Sequence, residues 1–256
     1  MLSNIIEIII LSIVQGISEF LPISSSAHLN IVEIIFEFNS NSLMIDVSLH
    51  LGSLLAIIFY FRRELLDLKN NKKLLTLVII GSIPIVIAGY IITATGLVNI
   101  LENNLKIIAW TTLIFGIFLY LADKSKFDKK IPSDLNLKTI LYIGLFQILA
   151  LIPGVSRAGI TITAARLFKF NRFDSSKISF LLAIPAIAGA SVLQLKDAIE
   201  QSLEFNYLIL ISITLSFLFS YFTIKFFLEY INKFSLNVFV IYRIIISIIL
   251  FIIIYN

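Results

Sequence analysis

Gln15, Glu19, Ser24, Ser25, Ser26 and His28 crowd into one stretch, QGISEFLPISSSAHL, inside an otherwise apolar run. Polar groups in hydrocarbon are costly unless paired, so a chain that lives there keeps them mainly for chemistry. Glu19 could hold a divalent cation, act as a base, or pair with a cation elsewhere. Gln15 lies one helical turn earlier on the same face; its amide can coordinate a metal or orient water, or simply pack, but cannot take a proton. The serines follow Pro22, and one of them suits the cap of a helix starting near Ala27. Three serines and His28 exceed what a cap requires. Ser25 and His28 are three apart and share a helix face, which suits a hydroxyl nucleophile with an imidazole partner, or two phosphate ligands.

A second stretch, IPGVSRAGITIT at residues 152–163, sets Gly154 and Gly159 around Ser156 and Arg157, with Thr161 on the helix that follows. Glycines permit close backbone approach, and a helix N-terminus offers free N–H groups to an anion. Arg157 adds a planar five-donor fork suited to phosphate, and it reads as the most deeply placed cation in the chain. A guanidinium at membrane depth requires an anion or a carboxylate, and Glu19 is the candidate. His50, the only other histidine, reads as a structural residue.

Something must bring these stretches together, and composition says what kind of scaffold it is. Of 256 residues, 59% are hydrophobic and 14% charged, with a mean hydropathy of +0.99. Soluble domains run at about 45–50% apolar and about 25% charged. The chain therefore reads as an all-α integral membrane protein. Its net charge of +4 sits in short loops, a topology signal and not a nucleic-acid footprint, so no nucleic-acid partner is expected. With no cysteine, disulfides and thiolate metal sites are excluded. The N-terminal run lacks a basic region ahead of it and carries Glu7, Gln15 and Glu19, so no cleavable signal peptide is expected.

Six spans approach the roughly 20 residues needed to cross the bilayer: Leu43–Phe61, Leu74–Thr95, Leu105–Ala122, Ser176–Leu195, Phe205–Phe226 and Leu236–Tyr255. Two further regions, Ile5–Phe38 and Asn136–Phe170, are apolar but broken at Pro22 and at Pro153-Gly154. They read as re-entrant pairs of short helices, since broken backbone at membrane depth must be covered by protein or line a cavity. An offset of 131 carries Pro22 onto Pro153, Ser25 onto Ser156, Ser48 onto Ser179 and Tyr90 onto Tyr221. The expectation is a single membrane domain over residues 1–256. It would hold a first repeat at 1–122, a cytoplasmic linker at 123–135 and a second repeat at 136–256, each repeat a re-entrant pair plus three transmembrane helices.

Three crossings per repeat invert the second one, and charge tests this independently. Arg62–Lys73 and Asp123–Lys138 hold five basic residues each, Arg166–Lys177 four and Lys225–Lys233 two. The opposing segments Glu33–Asp46, Gly96–Asn104 and Lys196–Glu204 hold one lysine between them. The positive-inside rule then places both termini outside the cytoplasm. Inverted repeats of this kind place a site near the midplane, where the two broken segments meet.

The two stretches resemble the paired signature motifs of the undecaprenyl-diphosphatase family, also called the bacitracin-resistance protein family, and the likeness covers the whole chain, including FLLAIPAIAGA and the apolar C-terminus. The first motif falls on Gln15, Glu19, Ser25, Ser26 and His28. The second falls on Pro153, Gly154, Ser156 and Arg157, with Ala158 where the family pattern has a serine. The resemblance implies a multi-pass enzyme of the bacterial inner membrane that removes one phosphate from undecaprenyl diphosphate with Mg²⁺ or Ca²⁺. Taken with the residues, it implies a polyprenyl diphosphate held by Arg157, Ser26, Ser156, Thr161 and N–H groups near Gly154, and a cation held by Glu19 and Gln15. Ser25 would be the nucleophile and His28 its acid/base partner, or water would attack with Ser25 only a ligand. The lipid tail would lie in the apolar interior between the repeats, and there is room for a homodimer. A lipid-phosphate transporter built on the same inverted-repeat architecture is the rival, since architecture does not fix function.

Overall fold

The computed structural model describes residues 2–36, 43–96, 104–125, 129–200 and 207–255. Its first broken region is a helix pair, α1 (Leu2–Ser18) and α2 (Ser25–Phe36), joined by a turn that holds Glu19 and Pro22. The first long helix is α3 (Leu43–Tyr60), followed by the short α4 (Arg62–Leu66), α5 (Leu68–Ala94) and α6 (Leu105–Asp123). A short α7 (Ile131–Asp134) leads into α8 (Leu137–Gln147), a 3₁₀ turn (Ile148–Leu151) and α9 (Arg157–Leu167), the second broken region. The chain closes with α10 (Arg172–Glu200), α11 (Tyr207–Ile231) and α12 (Asn237–Tyr255). Among the described residues, α3, α5, α6, α10, α11 and α12 are the six helices long and apolar enough to cross a membrane. Their outer faces expose Ile, Leu and Phe throughout, as lipid requires.

Several helices run further than the expected spans: α10 starts at Arg172 and not Ser176, and α11 ends at Ile231 and not Phe226. The basic loop expected over Arg62–Lys73 is helical, and α5 begins at Leu68 because Asp67 accepts a hydrogen bond from the Asn70 N–H and caps it. Parts of the segments expected on the outer side, at 37–42, 97–103 and 201–206, lie outside the described residues.

The packing runs across the two halves. α3 lies against α11 and α10, α1 against α11, α5 against α8 and α10, and α6 against α12 and α9. Small residues make the close crossings possible. At Gly144 on α8 a Cβ would come within 1.9 Å of the Gly81 carbonyl oxygen on α5, and at Gly52 on α3 within 2.5 Å of Ile213 O on α11. The centre of the molecule is α9, buried without interruption from Ala158 to Arg166.

At the basic loops, Asp123 holds the end of α6 to the second half. Its carboxylate takes Arg172 in a two-pronged contact of 2.8 and 2.9 Å, lies 3.2 Å from Arg166 Nε, and accepts the Leu236 N–H. Arg166, which the sequence reading counted as a loop cation, is therefore fully buried at the foot of α9. Described residues of the expected linker 123–135 are likewise tied down, with Lys129 exchanging backbone hydrogen bonds with Lys169 and Asn171.

The two breaks share one backbone device. Ser24 and Ser156, at φ 77° and 71°, are left-handed non-glycine residues standing directly before the first residue of α2 and of α9. They are 132 positions apart, one more than the offset that aligns the prolines. Ser25 and Arg157 are thus the first residues of the two helices, each directly after a left-handed serine.

Candidate active site

The last turn of α1 and the first turns of α2 and α9 converge on Glu19. It lies just past the end of α1 and is 8% exposed, too buried to remain ionised without partners. Oε1 accepts from Arg157 Nη2 at 2.9 Å; Oε2 accepts from Ser25 Oγ at 2.7 Å and from Gln15 Nε2 at 3.1 Å. Arg157 also donates to the Glu19 backbone carbonyl and to Ser179 O. Thus the first residues of two helices, one hydroxyl and one guanidinium, meet on the two oxygens of one carboxylate. Arg157 Nε and Gln15 Oε1 are buried and have no hydrogen-bond partner among the described residues.

Of these groups, Glu19, Ser25 and Arg157 line one end of a cavity of about 1300 Å³. Glu19, Ser24, Ser25, Ser26, His50, Ser156 and Arg157 form the polar end. The remainder is walled by the apolar second half of α5 and by α10, where Gly89, Ala186, Ala188, Gly189 and Ala190 keep it open. A charged head and a long apolar tail fit that division.

The sequence-derived candidates fall into three groups. Gln15, Glu19, Ser25 and Arg157 are in contact, and Ser26 and Ser156 line the same cavity. Ser156 also caps α9, its Oγ accepting from the Gly159 N–H, and Ser26 Oγ lies 3.3 Å from Ser24 Oγ. Gly154 and Thr161 stand behind this layer. Gly154, at φ 84°, packs so tightly on α6 that a Cβ would sit 2.2 Å from Thr111 Oγ1. Thr161 is fully buried, donates to Arg157 O and sits 2.7 Å from Ser179 Oγ, bracing the first turn of α9.

His28 stands apart. Its Nδ1 donates to Ser24 O and its Nε2 is 2.6 Å from Tyr242 Oη, with the two rings stacked. The pairing of Ser25 with His28 expected from helical spacing is not formed, because Glu19 takes the Ser25 hydroxyl while Ser24 O holds the ring. His50, read as structural, lines the cavity instead, its Nδ1 on Asp46 O.

Sequence reasoning also misplaced the deepest cation. The Arg157 side chain is 13% exposed, whereas Arg243 on α12 is fully buried. A lone arginine in an apolar span was the available signal, and the absence of a polar stripe around it hid its importance.

A divalent cation has oxygen donors at this site, and the donor types fit a hard ion. Gln15 Oε1 is an orphaned buried acceptor beside the Glu19 carboxylate. No group of three or more His, Asp or Glu side chains is gathered among the described residues, so substrate oxygens would have to complete the coordination.

A family model described as bacitracin resistance protein BacA matches residues 8–249 of the chain. Among curated relatives, an undecaprenyl-diphosphatase from Pelagibacter ubique (strain HTCC1062) is 91% identical over 256 residues, covering all of both chains. Those from Elusimicrobium minutum (96% of this chain, 97% of the relative) and Alteromonas mediterranea (94% and 95%) are each 39% identical.

Proposed function

The chain belongs to the bacitracin resistance protein BacA family, and from that membership and the site's geometry we infer how it works. It is an undecaprenyl-diphosphatase of the membrane, converting undecaprenyl diphosphate to undecaprenyl phosphate and inorganic phosphate and so returning the lipid carrier to cell-wall synthesis. The observation that carries the mechanism is the Ser25 hydroxyl hydrogen-bonded to Glu19 while Arg157 holds the other oxygen of the same carboxylate.

In our reading the diphosphate enters with its tail between α5 and α10 and takes Arg157 into a bidentate contact, the pairing for which guanidinium is suited. Glu19 is thereby released from its strongest partner and left bonded to Ser25. Ser25 Oγ attacks the terminal phosphorus and its proton passes to Glu19 Oε2. The bond from that phosphorus to the bridging oxygen breaks and the proton on Glu19 passes to the departing undecaprenyl phosphate. The restored carboxylate then takes a proton from a water that hydrolyses the phosphoserine, and returns it to Ser25 Oγ as inorganic phosphate leaves. Direct attack by a water on Glu19, with Ser25 only a phosphate ligand, uses the same atoms. Gln15 Oε1 and Glu19 would hold Mg²⁺ or Ca²⁺ together with substrate oxygens. Bound there, the ion would neutralise charge on the transferring phosphoryl group. His28 serves by fixing α2 to α12 through Tyr242.

The expected result is phosphate release from a C55 diphosphate by the purified protein, abolished by excess EDTA and restored by Mg²⁺ or Ca²⁺. Turnover undiminished in chelator would remove the metal from this account. Binding of the lipid with no phosphate ever released would return the transporter reading.

The cavity reaches Leu43, Gly96 and Gln194, at the ends of α3, α5 and α10 away from the basic loops. With both termini outside the cytoplasm, that mouth serves the outer leaflet. Asn70 is exposed in the basic segment on the opposite side. An Asn70→Cys variant should resist an impermeant maleimide in intact cells and react once the membrane is opened. Labelling in intact cells would invert the topology.

A further inference from the structure

Among the described residues, Arg243 has no carboxylate partner. Its guanidinium donates to five backbone carbonyls: Thr112 O at 3.1 Å, Pro22 O at 3.2 Å, Val155 O at 3.0 Å, Gly154 O at 2.9 Å and Thr111 O at 3.5 Å. Two belong to α6; the other three come from the two breaks, one from the first and two from the second. Buried glycines on α6 and α9 make room for it. A Cβ on Gly116 would lie 3.3 Å from Arg243 Cβ, and one on Gly159 would lie 2.9 Å from Nη1.

In a trans peptide the carbonyl and the following N–H point in opposite directions. The Val155 carbonyl is turned back onto Arg243, so the Ser156 N–H of the same peptide is turned the other way. Ser156 lines the cavity, and its N–H finds no acceptor within the chain among the described residues. The left-handed conformation of Ser156, and of Ser24 in the other break, is strained for a residue with a Cβ and persists only where the surroundings enforce it. Arg243 holds the carbonyl directly before Ser156 and one two residues before Ser24, the atoms through which both conformations are enforced.

We propose that Arg243 is the positioning residue of the phosphate site: it clamps the carbonyls of both breaks so that the Ser156 N–H faces the diphosphate beside Arg157. This rests on the phosphatase reading of the cavity and adds a residue that touches neither substrate nor metal. It also explains why a cation without a counter-charge is kept in the bundle interior. Its positive charge stands behind the peptides that must meet a polyanion.

The test compares two ligands with the same tail. Arg243→Lys keeps the charge but cannot span five carbonyls. Its affinity for undecaprenyl diphosphate should fall about tenfold or more, the scale of a lost charge-assisted hydrogen bond. Affinity for undecaprenyl alcohol, which has no phosphate, should stay within about twofold if only the phosphate hydrogen bond is lost. Adding Ser156→Gly should recover part of the loss, because glycine takes a positive φ unaided. Gly116→Ala, which only nudges the guanidinium, should give a smaller loss of the same kind if Arg243→Lys is too unstable to purify. Equal loss of both ligands, or unchanged diphosphate affinity in every variant, would overturn the proposal. A wild type that releases no phosphate would instead sink the reading beneath it.

Discussion

Glu19→Gln is expected to lower phosphate release by about 10³-fold, within the range for loss of a general base. The carboxylate now accepts from three donors at once, Arg157, Ser25 and Gln15. A glutamine accepts through one oxygen and turns an NH₂ group toward a guanidinium or a hydroxyl that is itself a donor. Ser25 loses the base that takes its proton, and Arg157 is left buried without its counter-charge. Steady-state phosphate release at saturating Mg²⁺, on protein whose melting in detergent shows it to be folded, reads this directly. A variant retaining more than about a tenth of the rate would show that Glu19 only holds the two halves together. The converse change, Gln15→Glu, should be tolerated with metal present, since a carboxylate is a stronger ligand. In chelator it should destabilise the protein, because two carboxylates would then face each other.

Ser25→Ala and Arg157→Lys should separate chemistry from binding. Alanine removes a hydroxyl whose contribution as nucleophile is made in the transition state. Binding of undecaprenyl diphosphate should be nearly normal while the single-turnover rate falls by roughly 10³-fold or more. Lysine at 157 keeps the charge but loses the fork, so both affinity and rate should fall. It also surrenders one of the contacts to the Glu19 backbone or to Ser179. If Ser25→Ala keeps more than about a tenth of the rate, water is the nucleophile and Ser25 a phosphate ligand.

Much of this was legible because hydrocarbon makes polar residues conspicuous. The six spans, the two breaks and the meeting of Glu19 with Arg157 all follow from asking where charge could survive in an apolar chain. The partner of Ser25 was not legible. Helical spacing put Ser25 and His28 on one face, but spacing says nothing of Ser24 O and Tyr242, which hold the ring from either side. Nor does it show that Ser25, the first residue of α2, leans back toward Glu19. Thr161 was legible as near the site but not as lying behind Arg157, since burial direction around a helix enclosed on all sides leaves no periodic trace. Arg243 could have been found by the rule used for Arg157. Its five partners could not, because backbone carbonyls carry no mark in the sequence.

The clamp on α12 also bears on when the protein can work during its own synthesis. Val155 and Arg243 are 88 residues apart, and at about 5–20 residues per second the ribosome needs on the order of ten seconds to add that stretch. Until α12 inserts, the carbonyls of both breaks lack their common donor and the left-handed serines lack what enforces them. The nascent chain therefore carries Glu19, Ser25 and Arg157 in the membrane well before they can be set for phosphate. A chain that stops short of its last helix has every motif residue and no organised site.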